Sequence, residues 1–175
     1  MKRFNAEITK DNIFELIRHS GISLEAFGNI IGVSKRWVHY LKKGTYKFDL
    51  AGIEKACEFF NIQFTKLTTR SIIPPDNYRI SLQSYHKRNP EYSKILTENP
   101  SISYIIEFVL LKDKTFLSQK EMEIKDVKRI LLKYNLVYKG SSLSTEFQKS
   151  EFIEHWPHPT KKNTYLYKIK QIKKT

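Results

Sequence analysis

The stretch that decides the fold runs from residue 23 to residue 44: Ser23-Leu-Glu-Ala-Phe-Gly-Asn-Ile-Ile-Gly-Val-Ser-Lys-Arg-Trp-Val-His-Tyr-Leu-Lys-Lys-Gly44. Serine is a preferred N-cap residue and glycine often follows a helix, so Ser23 and Ser34 predict helix starts. Gly32 can adopt the left-handed backbone that a tight turn requires. Gly28 is expected where the two helices cross, a position with room for nothing larger than Ala. This spacing predicts a helix-turn-helix unit, and its core would comprise Phe27, Ile31, Val33, Val38 and Leu41.

Three further helices are predicted around this unit. A first helix would begin at an Asp11 cap and end at Gly21. A fourth would begin at an Asp49 cap and end at a left-handed Asn61. Its apolar stripe would comprise Leu50, Ile53, Ala56, Cys57 and Phe60. A short fifth helix would hold Phe64 and Leu67. Residues 1–70 therefore predict a five-helix domain.

The stretch resembles the Cro/repressor-type (XRE) helix-turn-helix family. Eleven of twelve positions of the family pattern agree, namely Gly21, Ile22, Ser23, Phe27, Ile31, Gly32, Val33, Ser34, Val38, Leu41 and Gly44. The resemblance continues through 54–67 and covers about residues 11–68. Gly28 stands where the family has Ala, a change expected to keep the packing and to cost about 1 kcal/mol of helix stability. Leu24 stands where the family has a Gln that grips a phosphate.

The resemblance implies that the third helix lies in the major groove of DNA. Lys35 or Arg36 would bind guanine, and Trp37 would contact a thymine methyl or sugar, or else pack on a neighbouring element. The implied base contacts are Ser34, Lys35, Arg36, Trp37, His39 and Tyr40. The expected phosphate contacts are Ser23, Lys42, Lys43 and Lys47.

The charge of the chain favours a polyanionic partner. Its 175 residues carry 31 Lys and Arg against 18 Asp and Glu, a formal net charge of +13. Residues 34–47 contain five basic residues and no acid. The last fifteen residues contain six lysines and no acid: Lys161, Lys162, Lys168, Lys170, Lys173 and Lys174. Nucleic acid is the first candidate and a membrane surface the second. Solvated surface, and sequence-nonspecific binding through the C-terminal lysines, are the alternatives.

Several other classes of function lack support in the sequence. We expect no secretory signal, because residues 1–7 contain no apolar segment, and no membrane span, because no run reaches about 18 apolar residues. The single cysteine, Cys57, fits a reducing, cytoplasmic location. None of the nucleophile-elbow, P-loop, zinc-protease or dinucleotide motifs occurs. His155 and His158 are weak candidates for metal ligands, because Pro157 between them disfavours a helix that would carry both on one face. We therefore expect no enzyme, no catalytic residue, no metal and no cofactor.

The family resemblance does not extend to the C-terminal half. The helix-blocking run at 72–77 predicts a boundary, followed by a linker over 71–92 with one short strand around Ile80 and Leu82. The domain over 93–175 is predicted to be α+β, serving dimerisation, sensing or a second binding function. Its predicted elements are an apolar helix after Pro100, a helix over 119–134, a strand at 136–138, an irregular segment at 141–163 and a strand from Tyr165 to Ile169. A winged-helix arrangement is one option, with 136–140 and 165–170 as wing strands.

Together these patterns predict a mostly α protein with a lambda-repressor-like N-terminal domain and an α+β C-terminal domain. The predicted function is a sequence-specific, repressor-like transcription regulator that binds double-stranded DNA as a homodimer. The alternative is an antitoxin-like module that binds a second protein through residues 78–175. Exposed aromatic residues in that half would favour the alternative: Tyr104, Phe108, Phe147, Phe152, Trp156, Tyr165 and Tyr167.

Overall fold

Five short helices occupy the first seventy residues of the computed structural model, which describes residues 4–170. They are α1 (Ala6–Ser20), α2 (Leu24–Ile31), α3 (Lys35–Lys42), α4 (Leu50–Phe59) and α5 (Phe64–Thr69). The predicted caps on three of them are confirmed. Backbone N–H groups donate to the side chains of Ser23, Ser34 and Asp49. The backbone of Asn61 has the predicted left-handed conformation, with φ 47°.

Two details of the predicted helices are wrong. Helix α1 begins five residues before Asp11, because the Asn5 side chain accepts hydrogen bonds from the N–H groups of Glu7 and Ile8 and caps the helix there. Leu50 was expected in the stripe of α4 but is 60% exposed. It is the first residue of the helix, and the buried side of α4 begins with Gly52 and Ile53.

The predicted linker over 71–92 is also wrong. Residues 78–97 form two helices, α6 (Tyr78–Tyr85) and α7 (Pro90–Thr97), and the predicted strand around Ile80 is part of α6. Leu82 and Leu96 are buried in the same core as residues of α1 to α5. These helices therefore belong to the N-terminal unit, Met1–Ser101, and the chain divides after Ser101 rather than in a linker.

A buried arginine holds α6 in the N-terminal unit. The Arg79 guanidinium donates to the carbonyl of Ser20 at 2.6 Å and to the carbonyls of Leu96 and Glu98, each at 2.7 Å. These carbonyls lie at the C-terminal ends of α1 and α7, where helix carbonyls lack intrahelical donors and carry partial negative charge. Arg79 thus joins three helices through their backbones.

The C-terminal unit, Ile102–Thr175, combines helices with one β-hairpin. It begins with α8 (Ile102–Tyr104), a π-helical turn (Ile105–Val109) and a 3-10 turn (Leu110–Lys112). There follow α9 (Lys114–Ser118), α10 (Ile124–Leu132), α11 (Gly140–Lys149), β1 (Ile153–Pro157) and β2 (Tyr165–Ile169). Strands β1 and β2 are antiparallel, and Met122 forms a bridge to Tyr167 of β2. The buried core contains Phe116, Val127, Leu131, Leu143, Phe147 and Tyr167.

Several predictions for this unit are wrong, although the strand at Tyr165–Ile169 and the helical segment after Pro100 are confirmed. The helix predicted over 119–134 covers only Ile124–Leu132. Residues 136–138 are not a strand; after α10 the chain passes through a left-handed Asn135, and Val137 is exposed. The segment 141–163 is not irregular, because it contains most of α11 and all of β1. The protein is mostly helical with a small two-stranded sheet.

Candidate nucleic-acid interface

Helices α2 and α3 are in close contact at Gly28. The N–H of Val33 donates to the Gly28 carbonyl at 2.8 Å. A Cβ atom on Gly28 would lie 2.6 Å from the Val33 carbonyl oxygen and 3.3 Å from Val38 Cγ2. The predicted contact at Gly28 is present, but the expectation that Ala would fit is wrong. Val38 and Leu41 are the buried residues of α3. The side of α3 opposite to them therefore faces outward.

The outward side of α3 carries Arg36, His39 and Tyr40, which we call the α3 face. Residues three and four apart lie on the same side of a helix. Arg36 and His39 are exposed and Tyr40 is half-buried. Arg36 Nε donates to the Tyr40 hydroxyl at 2.8 Å, and the guanidinium carbon lies 5.6 Å from the centre of the Tyr40 ring. Tyr40 therefore restrains the side chain of Arg36.

Trp37 packs against Tyr46 at one edge of the α3 face. Their ring centroids are 4.3 Å apart with an interplanar angle of 15°, and Trp37 remains 40% exposed. Tyr46 also meets Tyr40 edge-on at 5.7 Å. Of the roles considered for Trp37, packing on a neighbouring element is the one observed. Sequence reasoning missed Tyr46, although an aromatic residue beside Lys47 in an acid-free segment was an available signal.

The predicted contacts at the helix starts already have partners within the protein. The hydroxyls of Ser23 and Ser34 accept hydrogen bonds from backbone N–H groups, at 3.0 and 3.2 Å. Lys35 Nζ lies 4.0 Å from a carboxylate oxygen of Glu25, and both side chains are exposed. Because exposed ion pairs are weak, Lys35 can exchange this partner for another anion.

The remaining predicted lysines lie around α3. Lys42, Lys43 and Lys47 are exposed, and Lys42 Nζ is 6.0 Å from the centre of the Phe14 ring of α1. Lys55 of α4 was not predicted as part of the site. A Cβ atom on Gly32 would lie 3.4 Å from Lys55 Nζ, so this ammonium group lies beside the turn between α2 and α3.

The weaker candidates lie elsewhere. His158 Nδ1 accepts hydrogen bonds from the N–H groups of Thr160 and Lys161, and the His155 ring packs against Tyr165. Burial raises the pKa of the half-buried Cys57 thiol, with a smaller contribution from Glu54. Lys173 and Lys174 lie outside the described residues.

Residues 4–170 contain neither a cluster of metal-ligating side chains nor a membrane-spanning helix. No group of three or more His, Cys, Asp or Glu side chains there is arranged to hold a metal ion. None of the helices in this range has the length and apolar character needed to cross a membrane.

Comparison with known proteins adds no relative to this picture. No protein-family model, curated protein or solved structure matches the chain.

Proposed function

We propose that the N-terminal unit is a Cro/repressor-type helix-turn-helix domain and that the chain is a sequence-specific transcription regulator. It would bind duplex DNA as a homodimer, because one such unit reads too few base pairs for useful specificity. The observation that carries the proposal is the exposure of Arg36 and His39 on a helix within the acid-free segment 34–47.

The chemistry of the α3 face suits base edges in the major groove. A guanidinium donates in parallel to O6 and N7 of guanine, which is the commonest specific contact to DNA. The hydrogen bond to Tyr40 uses Arg36 Nε and neither terminal amino group, and the terminal amino groups can donate to such a contact. His39 offers ring nitrogens one turn from Arg36. We assign base recognition chiefly to Arg36 and His39.

The residues around this face suit the DNA backbone. Lys42, Lys43 and Lys47 are exposed, and Lys55 adds a cation beside the turn. Such residues contribute affinity and position the protein without reading sequence. The stacked rings of Trp37 and Tyr46 offer an apolar surface for a sugar or a thymine methyl group.

The decisive experiment is selection from a pool of random DNA duplexes, at two salt concentrations. We expect the wild-type protein to enrich a motif with two-fold symmetry. The double variant Arg36→Ala/His39→Ala should lose that enrichment, because each specific base contact contributes about 1–3 kcal/mol. Both side chains are exposed, so the fold should survive the substitutions.

Lys66→Ala provides the control, because Lys66 is exposed on α5, a helix packed on α1 and α4. This variant should select the same motif as the wild type. If the wild type enriches no motif, or if the double variant enriches the same motif as the wild type, the proposal is wrong. The antitoxin-like alternative gains no support from the seven aromatic residues on which it depended, because each is buried or half-buried.

A further inference from the structure

The C-terminal unit has a basic face where three segments meet. A Cβ atom on Gly140 would lie 3.6 Å from Ile124 Cγ2, so α11 begins beside the first turn of α10. Lys161, from the loop between β1 and β2, donates to the carboxylate of Glu123, the residue that caps α10. The start of α10, the start of α11 and loop 158–164 therefore adjoin. We call their exposed cations the C-terminal basic face: Lys125, Lys139, Lys161 and Lys162.

The charge of this face is positive after its acids are included. Glu123 pairs with Lys161 and with Lys125, whose Nζ lies 3.4 Å from the carboxylate. Of the two other acids nearby, Asp126 pairs with Arg129 of the same helix, and Glu121 is exposed two residues before Glu123. The hydrogen bond from Lys161 to Glu123 raises the pKa of the Lys161 ammonium group, which keeps it charged. The whole C-terminal unit has 15 basic residues and 8 acidic ones.

The loop that presents Lys161 and Lys162 has a defined shape. His158 Nδ1 accepts hydrogen bonds from the N–H groups of Thr160 and Lys161, at 3.1 and 3.2 Å. The N–H of His158 donates to the Thr164 carbonyl at 2.8 Å and so extends the hairpin. Because these bonds fix the loop backbone, its two lysines are held at one end of the hairpin.

Helix α11 adds a polar side to the same region. Leu143 and Phe147 face the core, and the exposed residues near the start of the helix are Ser141, Ser142 and Thr145. The first turn contains no acid. An α-helix fits the major groove of DNA, and serine and threonine hydroxyls bind both phosphates and base edges.

We infer that the C-terminal unit is a second duplex-DNA-binding module. Helix α11 would enter the major groove, and loop 158–164 would contact the flanking phosphates. The order of Met122, α10, α11, β1 and β2, with Met122 bridged to Tyr167, is that of a winged helix, in which β1 takes the place of the wing strand expected at 136–140 and β2 is the expected second strand. The inference stands independently of the function proposed for α3, because it concerns different residues.

The test uses the full chain and two double variants. Lys161→Ala/Lys162→Ala removes two predicted phosphate contacts. The slope of log affinity against log salt should therefore become less steep by about 1.8, at about 0.9 per contact. Ser141→Glu/Ser142→Glu places acids in the first turn of α11. There they favour the helix but repel phosphate, so the melting temperature should hold or rise while DNA affinity falls.

Lys112→Ala/Lys114→Ala is the matched control, because it removes two lysines of the same unit from around α9. Binding is measured by gel shift on random-sequence duplexes, in the wild-type and the Arg36→Ala/His39→Ala backgrounds. A less steep slope for the loop variant in both backgrounds, with an unchanged control, supports the inference. A loop variant indistinguishable from the control overturns it, as does an equal loss of binding to single-stranded DNA. Failure of the α3 proposal would appear separately, as unchanged motif selection by the Arg36/His39 variant.

Discussion

Gly28 has no space for even one methyl group. A Cβ atom there would lie 2.6 Å from a backbone oxygen of the turn, and backbone cannot move aside as a side-chain end can. Overpacking costs about 1–3 kcal/mol, whereas Ala favours a helix over Gly by about 1 kcal/mol. We expect Gly28→Ala to lower the free energy of unfolding by up to about 2 kcal/mol. A urea titration read by hydrogen exchange in peptides of α2 and α3 measures this change.

The matched control is Gly140→Ala. A Cβ atom on Gly140 would make an ordinary contact, 3.6 Å from Ile124 Cγ2. Because Ala has less backbone freedom than Gly in the unfolded chain, this change should stabilise α11 by about 0.4–1 kcal/mol. If both variants shift stability in the same direction, the steric account of Gly28 is wrong.

Among the helices of the N-terminal unit, the attachment of α6 and α7 depends on Arg79. Replacing Arg79 with Met would remove this donor from the carbonyls of Ser20 and Leu96 and from the partly buried bond to Glu98, although the Leu96 carbonyl would still accept from Gln83 Nε2. An unsatisfied buried polar group costs about 1–3 kcal/mol, and the Ser20 carbonyl would be such a group, so we expect Arg79→Met to destabilise the unit by about 1–3 kcal/mol. Differential scanning calorimetry measures the loss.

Arg79→Lys serves as the second variant. Lysine keeps the positive charge but lacks the planar guanidinium that reaches several carbonyls at fixed angles. Its stability should fall between those of the wild type and Arg79→Met. If the Met variant melts at the wild-type temperature, the three hydrogen bonds contribute nothing net and another contact attaches α6.

In the C-terminal unit, Asp113 connects α9 to the end of α10. Burial raises the pKa of its carboxyl, but the N–H of Phe116, the Tyr134 hydroxyl and Lys133 together outweigh burial and lower it. The charged carboxylate therefore stabilises the fold above the unfolded pKa of about 3.9, and this contribution disappears as pH falls through the lowered folded value.

Asp113→Asn tests this contribution. Asparagine still caps α9 but loses the charge that faces Lys133 at 3.7 Å. We expect the variant to be about 1–2 kcal/mol less stable than the wild type at pH 7, and the difference to shrink below about pH 4. Urea unfolding at several pH values measures it. A difference that stays constant down to pH 2 would contradict the electrostatic account.

The sequence predicted some of these elements and missed others for identifiable reasons. Caps such as Ser23 and Asp49 act within three residues, so the local sequence reveals them. The packing of α6 in the N-terminal unit depends on hydrogen bonds from Arg79 to residues up to 59 positions away in the sequence. A local sequence pattern cannot contain such a contact. Helix α11 was missed because its core contacts are only Leu143 and Phe147, too few to mark a helical period among serines and threonines.

At the scale of the whole molecule, the positive charge is shared between the two units. The N-terminal unit has 16 basic and 10 acidic residues, and the C-terminal unit has 15 and 8. The sequence revealed this balance and the acid-free basic segment 34–47. It did not reveal that Tyr46 stacks on Trp37 or that Lys55 lies beside the turn at Gly32, because both contacts form only when the chain folds.

The stack of Trp37 on Tyr46 provides an optical probe. The chain has two tryptophans, Trp37 in the N-terminal unit and Trp156 on β1 in the C-terminal unit. Each unit thus contains its own intrinsic fluorophore. With Trp156→Phe, the emission would come from an indole stacked at the edge of the α3 face, and with Trp37→Phe it would come from the hairpin. Quenching by added duplex could then be assigned to one unit at a time, without any attached dye.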